Sequence, residues 1–225
     1  MRVPRSGGGR LPNRLRPYAP PLAAAVVAVA ATVDVLAGGP LRRFDHWVFA
    51  DGLPPRTGAW HFFWRTVVNG GQYWIVATAA ALATLWVAWR HRDRGPGSVI
   101  GFLARAALWL VGAELTIRAA QVAFARTPPL AGADLLFQDG YLSYPSGHAA
   151  NAAACWIFIL AVLGATRRVR VAAHVLIAGV AVAVVTLGYH WPTDAIAGWA
   201  LGVVLGRIGA ALVAGWPGSQ EAPPH

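Results

Sequence analysis

Long apolar blocks alternate along the chain with short segments that carry most of its charge. Six blocks of mainly apolar residues stand out, at 22–38, 73–89, 99–117, 149–166, 171–189 and 195–216. Each is about long enough to cross a hydrocarbon core of ~30 Å as a helix that rises ~1.5 Å per residue. Blocks of this length with few charges are typical of membrane spans. The pattern predicts an all-α integral membrane bundle of six transmembrane helices.

The segments outside the predicted spans differ in composition. Residues 1–18 are rich in Gly, Pro and Arg and predict a disordered tail, and residues 217–225 form a second short tail. Residues 19–216 are therefore expected to form one membrane domain. Within it, several aromatic residues near 57–68 suit the headgroup layer and predict a short interfacial helix. Residues 127–144 hold Pro and Gly and predict a loop without regular structure.

Composition supports the membrane interpretation, since 56% of the residues are hydrophobic and only 12% are charged. The 19 basic residues exceed the 9 acidic ones, but nucleic acid is not the expected partner. Many arginines lie in 1–18, 90–94 and 167–170, which fall on one side of the predicted bundle. The positive-inside rule makes that side cytoplasmic and places both termini there. Arg105 and Arg207 lie within reach of the same side and are expected to snorkel to it.

Two short polar sequences stand at the heads of predicted spans. They are Tyr-Pro-Ser-Gly-His at 144–148 and His-Trp-Pro-Thr-Asp at 190–194. Because the two loops open on the same side of the membrane, both sequences are expected at helix N-termini on one face, where free N–H groups and the helix dipole favour an anion. Ser146 suits an N-cap or a phosphate donor, and Gly147 permits close backbone approach.

Histidines and a carboxylate give these sequences their chemistry. Asp194 follows His190 by four residues, so its carboxylate can reach the imidazole and fix its tautomer. Zinc bound by His148, His190 and Asp194 is an alternative. The predicted spans place no further ligand nearby, and we therefore expect no metal.

Features inside the predicted spans have structural interpretations. Gly198, Gly202 and Gly206 recur every four residues on one face of the last span, which predicts close helix packing. Glu114 and Arg118 lie four residues apart, so they either pair within the bundle or leave Arg118 to bind phosphate.

The order and spacing of Pro145-Ser-Gly-His148 and His190-x3-Asp194 resemble the second and third motifs of the type 2 phosphatidic acid phosphatase superfamily. The resemblance implies a six-span bundle that needs neither metal nor other cofactor. It implies substrates such as phosphatidate, phosphatidylglycerophosphate or polyprenyl phosphates. It also implies that His190 is the nucleophile and forms a phosphohistidine, that Asp194 orients it, and that His148 is the general acid.

Two parts of the family pattern are altered. The family's third motif opens with Ser-Arg, followed by five residues and then the histidine. This chain has Ala183 and Val184 at the Ser-Arg positions. The family's first motif is Lys, six residues, then Arg-Pro. Here Arg126 matches either the arginine of this motif or an earlier arginine of the family. In the second case, the arginine position of the motif falls on Pro128.

The altered motifs leave fewer cations for a phosphate that carries close to two charges. Arg118 and Arg126 are the expected phosphate-binding replacements, together with Ser146 and Gly147, and Arg65 is a further candidate. We expect the guanidinium of Arg126 to point into the space between His148 and His190.

Three functions compete. The first is a lipid phosphate or diphosphate phosphatase with its active site at the outer face. The alternative is a catalytically impaired relative that binds lipid phosphates or scaffolds a membrane complex. A transporter would need inverted repeats or broken spans, and no clear repeat is present. A complete set of nucleophile, orienting carboxylate and acid favours catalysis.

Overall fold

Eight α-helices and three short 3-10 turns make up residues 19–216, the part of the chain that the computed structural model describes. The α-helices are α1 Ala19–Ala37, α2 Pro40–Val48, α3 Gly58–Val68, α4 Tyr73–Arg90, α5 Pro96–Phe124, α6 Gly147–Val162, α7 Arg167–Thr186 and α8 Pro192–Leu212. The 3-10 turns are Asn69–Gly71, Arg92–Arg94 and Pro129–Ala131. The two predicted tails, 1–18 and 217–225, lie outside the described residues.

All six predicted blocks coincide with helices, namely α1, α4, α5, α6, α7 and α8, so the all-α prediction is confirmed. By length and composition, α1, α5, α7 and α8 can each cross a membrane. The segments 58–71 and 73–90, which meet at 46°, together give a fifth candidate span. At 16 residues, α6 is shorter than these. The chain is a multi-pass membrane protein, and the count of six crossings stays a prediction.

The outer surface of the bundle is apolar. Large side chains such as Leu22, Val26, Leu108 and Val175 are each more than 60% exposed. In water, apolar patches of this extent mark interaction sites or aggregation liabilities. Lipid tails are as apolar as these side chains, so the surface suits a membrane environment.

The helix predicted near 57–68 is present as α3, and its interfacial position stays a prediction. The segment 127–144 is irregular except for its 3-10 turn. The sequence interpretation missed α2. This helix begins at Pro40, where a missing N–H costs nothing. The carboxylate of Asp34 accepts the N–H groups of Leu41 and Arg42 and thereby caps the first turn. Its short, strongly charged sequence offered no span-like pattern, although it supplies a residue essential to the site described below.

The centre of the bundle is the contact between α6 and α8. Alanines dominate the buried face of α6, and glycines face it from α8. A Cβ added at Gly198 would lie 2.3 Å from the carbonyl oxygen of Ser146, and one added at Gly202 would lie 2.3 Å from that of Ala150. The prediction of close packing by the glycine stripe is therefore confirmed.

This close contact brings the two polar sequences together. Both helices begin at the same end of the bundle, and the backbone N–H of Ser146 donates to the carbonyl oxygen of Asp194 at 2.9 Å. The start of α6 and the start of α8 are thus joined directly by a main-chain hydrogen bond, which fixes the relative positions of the side chains that follow.

We expect Gly202→Ala to destabilise the protein because the added methyl group would overlap the α6 backbone. Overpacking of this kind typically costs ~1–3 kcal/mol. Thermal unfolding in detergent should show a lower midpoint. Gly112→Ala on α5 is the matched control, because a Cβ there meets nothing within 4 Å, and alanine is the better helix former by ~1 kcal/mol. Equal midpoints for the two variants would contradict the packing argument.

Candidate active site

A cavity of about 190 Å³ lies at the end of the bundle where α6 and α8 begin. Its walls come from the start of α4, from α5, from the loop before α6, and from the first turn of α6. The polar side chains that line it are those of Gln72, Tyr73, Arg118, Gln121, His148, Asn151 and His190. The cavity thus brings both predicted histidines together with one of the predicted arginines.

His148 and His190 face each other across this cavity. Their ring centroids are 6.3 Å apart and their planes are inclined at 64°. His190 is only 7% exposed. The two rings come from different helices that the α6–α8 contact holds in place, so their separation depends on main-chain packing.

The tautomer of His190 follows from its hydrogen bond to the main chain. Its Nδ1 lies 2.8 Å from the carbonyl oxygen of Ser143. Because a carbonyl oxygen only accepts, Nδ1 carries the proton and Nε2 has the free lone pair in the neutral ring. This is the state that a nucleophilic nitrogen requires.

Asp194 lies farther from His190 than expected. Its Oδ2 is 3.8 Å from His190 Nδ1, beyond hydrogen-bonding distance. Instead, Oδ2 accepts the hydroxyl of Ser143 at 2.6 Å, and that hydroxyl oxygen lies 3.3 Å from His190 Nδ1. The expectation of a direct bond is therefore wrong. Asp194 orients Ser143, whose carbonyl group then orients the imidazole.

His148 has a different partner. Its Nε2 lies 2.8 Å from Oε1 of Gln72, the residue that precedes α4. An amide oxygen accepts, so Nε2 carries a proton. Gly71 makes this approach possible, because a Cβ there would lie 2.3 Å from the His148 carbonyl oxygen. Gln72 thereby holds a proton-bearing nitrogen opposite a nucleophilic one.

The first turn of α6 presents main-chain donors. Ser146 is its N-cap, fully buried, and its hydroxyl accepts the N–H of Ala149 at 3.4 Å. Ser146 does not line the cavity, so its predicted contact with phosphate is replaced by a capping role. Gly147 does line the cavity, and the first N–H groups of a helix have no acceptor within it.

Arg126 is wholly buried and uses all five of its N–H groups on neighbouring side chains. They donate to Asp45, Asp134, Thr193 and Asp194 over 2.7–3.0 Å. We call Arg126 and these three aspartates the Arg126 cluster. The expectation that this guanidinium points between the two histidines is wrong, since it does not line the cavity and has no donor left for a phosphate.

Asp134 of the Arg126 cluster has two further basic neighbours, Arg42 and His46, and the Nε2 of His46 lies 3.1 Å from its Oδ2. Arg42 adds a second guanidinium, whose Nε donates to Asp134 at 2.7 Å. Burial would raise the pKa of Asp134, but the hydrogen bonds and charges of Arg126 and Arg42 outweigh it and lower that pKa below its usual value. Two guanidinium groups thus face three carboxylates, one of which lies 3.8 Å from the ring of His190.

Trp191 closes the cluster on the side of α8. The guanidinium of Arg126 lies 5.2 Å from the centroid of its ring, within the range of a cation–π contact. Its indole N–H donates to the carbonyl oxygen of Thr127 at 2.8 Å, and its backbone N–H donates to Asp194 at 3.0 Å. The turn between His190 and α8 is consequently held by its main chain and its side chains together.

Arg118 is the one arginine among the described residues that line the cavity. Its Nε donates to Glu114 at 2.8 Å and one terminal nitrogen donates to Gln121 at 3.2 Å. Its side chain is 52% exposed, and further N–H groups remain for a ligand. The pairing with Glu114 is therefore confirmed, and because Arg118 also lines the cavity, its contact with phosphate stays a prediction.

The other candidate cations do not reach the cavity. Arg65 donates to the hydroxyl of Tyr189 at 3.3 Å and is not part of the lining. Ala183 and Val184 occupy the places of the altered third motif, and both are fully buried in an apolar cluster of α7. Within residues 19–216, no group of three or more His, Cys, Asp or Glu side chains is arranged to hold a metal.

Several residues of the site were not predicted. Asp45 and Asp134 lie far from Asp194 in sequence, and no spacing rule connects them. Ser143 contributes mainly through its carbonyl group, which every residue has. Gln72 had a usable signal, because two glycines directly precede it at the head of an apolar block, and consecutive glycines indicate close approach.

Comparison with known proteins agrees with this site. Residues 122–216, which contain both histidine motifs, match the model of the PAP2 superfamily. The fold is similar to that in the "Crystal structure of the first transmembrane PAP2 type phosphatidylglycerolphosphate phosphatase from Bacillus subtilis", with a TM-score of 0.60 and 16% identity over 88% of this chain and 95% of that chain. No curated protein matches the chain. This match supports membership of the PAP2 superfamily, as the motifs of the chain predicted.

We expect Arg126→Ala to destabilise the fold, because it leaves three buried carboxylates without their shared counter-charge. Removing one partner of a buried ion pair costs ~3–5 kcal/mol. Thermal unfolding in detergent should show this loss of stability. Arg126→Lys should restore stability only in part, since an ammonium group cannot reproduce the five hydrogen bonds of the planar guanidinium. The control is Arg105→Ala, at an exposed position of α5. An unchanged unfolding midpoint combined with lost activity would instead assign Arg126 to the substrate.

Proposed function

We propose that this protein is a membrane phosphatase that hydrolyses a lipid-linked phosphate monoester or diphosphate through a phosphohistidine, without a metal. The observation that carries the proposal is that the two histidines face each other across one cavity, with ring centroids 6.3 Å apart. His190 offers an unprotonated Nε2, because its Nδ1 donates to the main chain, and His148 holds a proton on Nε2 against Gln72. The match to the PAP2 superfamily supports this chemistry.

In the first half of the reaction, Nε2 of His190 attacks phosphorus and the bond from phosphorus to the lipid oxygen breaks. His148, in its protonated form, gives its proton to that oxygen, so the lipid leaves as an alcohol, or as a monophosphate when the substrate is a diphosphate. The phosphoryl group then remains on His190 as a phosphohistidine.

In the second half, water attacks the same phosphorus and the bond to His190 breaks. The neutral His148 accepts a proton from this water, which regenerates the acid and releases inorganic phosphate. In each half of the reaction, His148 therefore loses or gains a proton, while the bond between His190 and phosphorus forms or breaks.

The Arg126 cluster supports the nucleophile electrostatically. Phosphorylation of Nε2 places positive charge on the His190 ring, and an opposite charge within ~4–6 Å favours a charged form. The carboxylate of Asp194 lies 3.8 Å from Nδ1, at the near end of this range. In this proposal Asp194 and Ser143 are positioning residues, since neither touches the reacting phosphorus.

The phosphate is held by Arg118 and by main-chain donors at the start of α6, where Gly147 lines the cavity. The transition state spreads charge over three equatorial oxygens, and catalysis of phosphoryl transfer depends on positioned cations and donors. Because Arg118 is the single arginine in the lining, it contributes a larger share of phosphate binding than one cation would in a site with several.

The substrate in this proposal belongs to the class of phosphatidate, phosphatidylglycerophosphate or polyprenyl phosphates. The cavity lies at the end of the bundle, at the depth of lipid headgroups, and Arg118 at its edge is half exposed. The similar crystal structure is that of a phosphatidylglycerolphosphate phosphatase, which makes phosphatidylglycerophosphate the first substrate to test. The distribution of arginines supports an outer-face active site and cytoplasmic termini.

A second candidate is a relative that binds lipid phosphates without hydrolysing them. The buried, apolar Ala183 and Val184 favour it, since no cation reaches the cavity from that helix. Phosphate release by purified protein, measured with each substrate class, distinguishes the two. Binding of a lipid phosphate without release of phosphate from any of them would support the second candidate.

His190→Ala should abolish phosphate release and should form no phosphoenzyme. Acid quench of the wild type with labelled substrate should trap an acid-labile phosphoenzyme, as expected for phosphohistidine. The control is His91→Ala, in the turn after α4 and outside the cavity. A His190→Ala protein that keeps about a tenth of wild-type activity would rule out the nucleophile role, because loss of one decade is only ~1.4 kcal/mol of transition-state stabilisation.

Arg118→Ala should lower kcat/KM by ~10²–10³, the typical cost of removing a preorganised donor to a developing charge. Arg105→Ala is the matched control, since it removes an exposed arginine from the same helix. Comparable losses in both variants would show that general positive charge, rather than a contact with phosphate, sets the rate.

A further inference from the structure

A second and larger cavity lies at the opposite end of the bundle from the two histidines. Its volume is about 610 Å³. The lining comes from the first half of α1, the end of α6, the first part of α7 and the second half of α8. We call it the far-end cavity. No residue of the catalytic cavity contributes to it.

The far-end cavity is apolar along most of its length and basic at one end. Twelve of its fifteen lining residues are apolar or glycine, and the other three are Arg170, His174 and Arg207. No acidic side chain is among them. Arg170 lies three residues after the start of α7 and Arg207 five residues before the end of α8, so both lie within ~5–8 Å of the helix ends.

The apolar part extends from these arginines towards the middle of the bundle. Trp199 precedes Arg207 by eight residues on α8, a distance of ~12 Å along the helix. Val27 and Ile177 line the walls on α1 and α7. The far-end cavity therefore has a charged end near the ends of α7 and α8 and an apolar end towards the middle of the bundle.

The cations at the charged end have free donors. Arg170 uses its Nε on the carbonyl oxygen of Ala165 at 2.9 Å, and its two terminal nitrogens have no partner within residues 19–216. Arg207 has no hydrogen bond or ion pair to any described residue. His174 donates from Nδ1 to the carbonyl oxygen of Arg170, which leaves Nε2 available.

We infer that the far-end cavity binds one anionic phospholipid of the leaflet opposite the active site. Its phosphate lies between Arg170 and Arg207, and an acyl chain fills the apolar part towards Trp199. Charge complementarity selects this occupant, because a neutral lipid would leave two arginines at the edge of the hydrocarbon layer without a counter-charge. A free phosphate ion would leave the apolar part unfilled.

Such a lipid would also link the outer helices to the centre. At this end of the bundle the cavity lies between α1, α6, α7 and α8, so a bound acyl chain would contact all four helices. A ligand that binds only the folded state raises apparent stability. Anionic lipid should therefore stabilise the bundle from the end that holds no catalytic residue.

The test uses the full-length protein in detergent with added phosphatidylglycerol, phosphatidylcholine or glycerol 1-phosphate. Retained lipid is counted by native mass spectrometry and the unfolding midpoint is measured in parallel. A basic residue near an anionic lipid surface contributes enough for about a fivefold change in affinity, so Arg170→Gln and Arg207→Gln should each weaken phosphatidylglycerol binding about fivefold and together about 25-fold. Phosphatidylcholine should bind more weakly than phosphatidylglycerol to the wild type.

The controls are Arg168→Gln, two residues before Arg170 on α7, and Arg105→Gln on α5. Neither residue lines the cavity. Both should retain wild-type binding. Ala161→Phe, which fills the apolar wall without changing charge, should displace the lipid in the same way as the double arginine variant. Equal binding of phosphatidylcholine, equal losses in the control variants, or displacement of the lipid by glycerol 1-phosphate would each overturn the inference.

Discussion

The arrangement of the catalytic end depends on one buried guanidinium. Arg126 joins α2, the loop before α6, and the first turn of α8, because its donors reach Asp45, Asp134 and Asp194 simultaneously. Its planar group makes five hydrogen bonds, to three carboxylates and the hydroxyl of Thr193, whereas a lysine has only three N–H donors. Taking charges out of water is costly, and the cost is offset only when geometry and hydrogen bonding are nearly complete. In this cluster every guanidinium donor is used, so the three segments are held in one relative position.

The fixed position of the Arg126 cluster determines how the ring of His190 is oriented. Since Asp194 is committed to Arg126, Ser143 and the N–H of Trp191, its carboxylate serves as a structural hub. The imidazole of His190 is then fixed by a main-chain carbonyl group, which selects the tautomer without a direct ion pair. The carboxylate of Asp194 remains close enough, at 3.8 Å, to favour positive charge on the ring. Structure and electrostatics of the site thus come from the same group of residues.

The rest of the bundle follows the physics of a lipid environment. Apolar burial provides little drive for helices to associate in lipid, so close approach through small residues takes its place. Gly198 and Gly202 let α8 meet the α6 backbone, which brings the two histidine motifs together. At the other end of the bundle, the surrounding helices leave the far-end cavity open beside this close contact. The basic end of that cavity matches anionic lipid. A tightly packed centre therefore has a polar site at one end and a lipid-sized cavity at the other.

The sequence by itself determined the all-α class, the places of the six apolar helices, the short helix α3 and the pairing of the two histidine motifs. These features depend on local composition and on spacing along single helices, and membrane topology alone puts alternate loops on one face. The tertiary structure decided which polar groups meet. Asp45 and Asp134 lie in segments without a periodic pattern, so nothing local marked them as partners of Arg126. The same arginine seemed free to bind phosphate only because its three carboxylates are remote in sequence. Hydrogen bonding of a buried group depends on contacts between distant segments, and only the packed bundle shows that Arg126 bonds to buried side chains while Arg118 lines the cavity that holds both histidines.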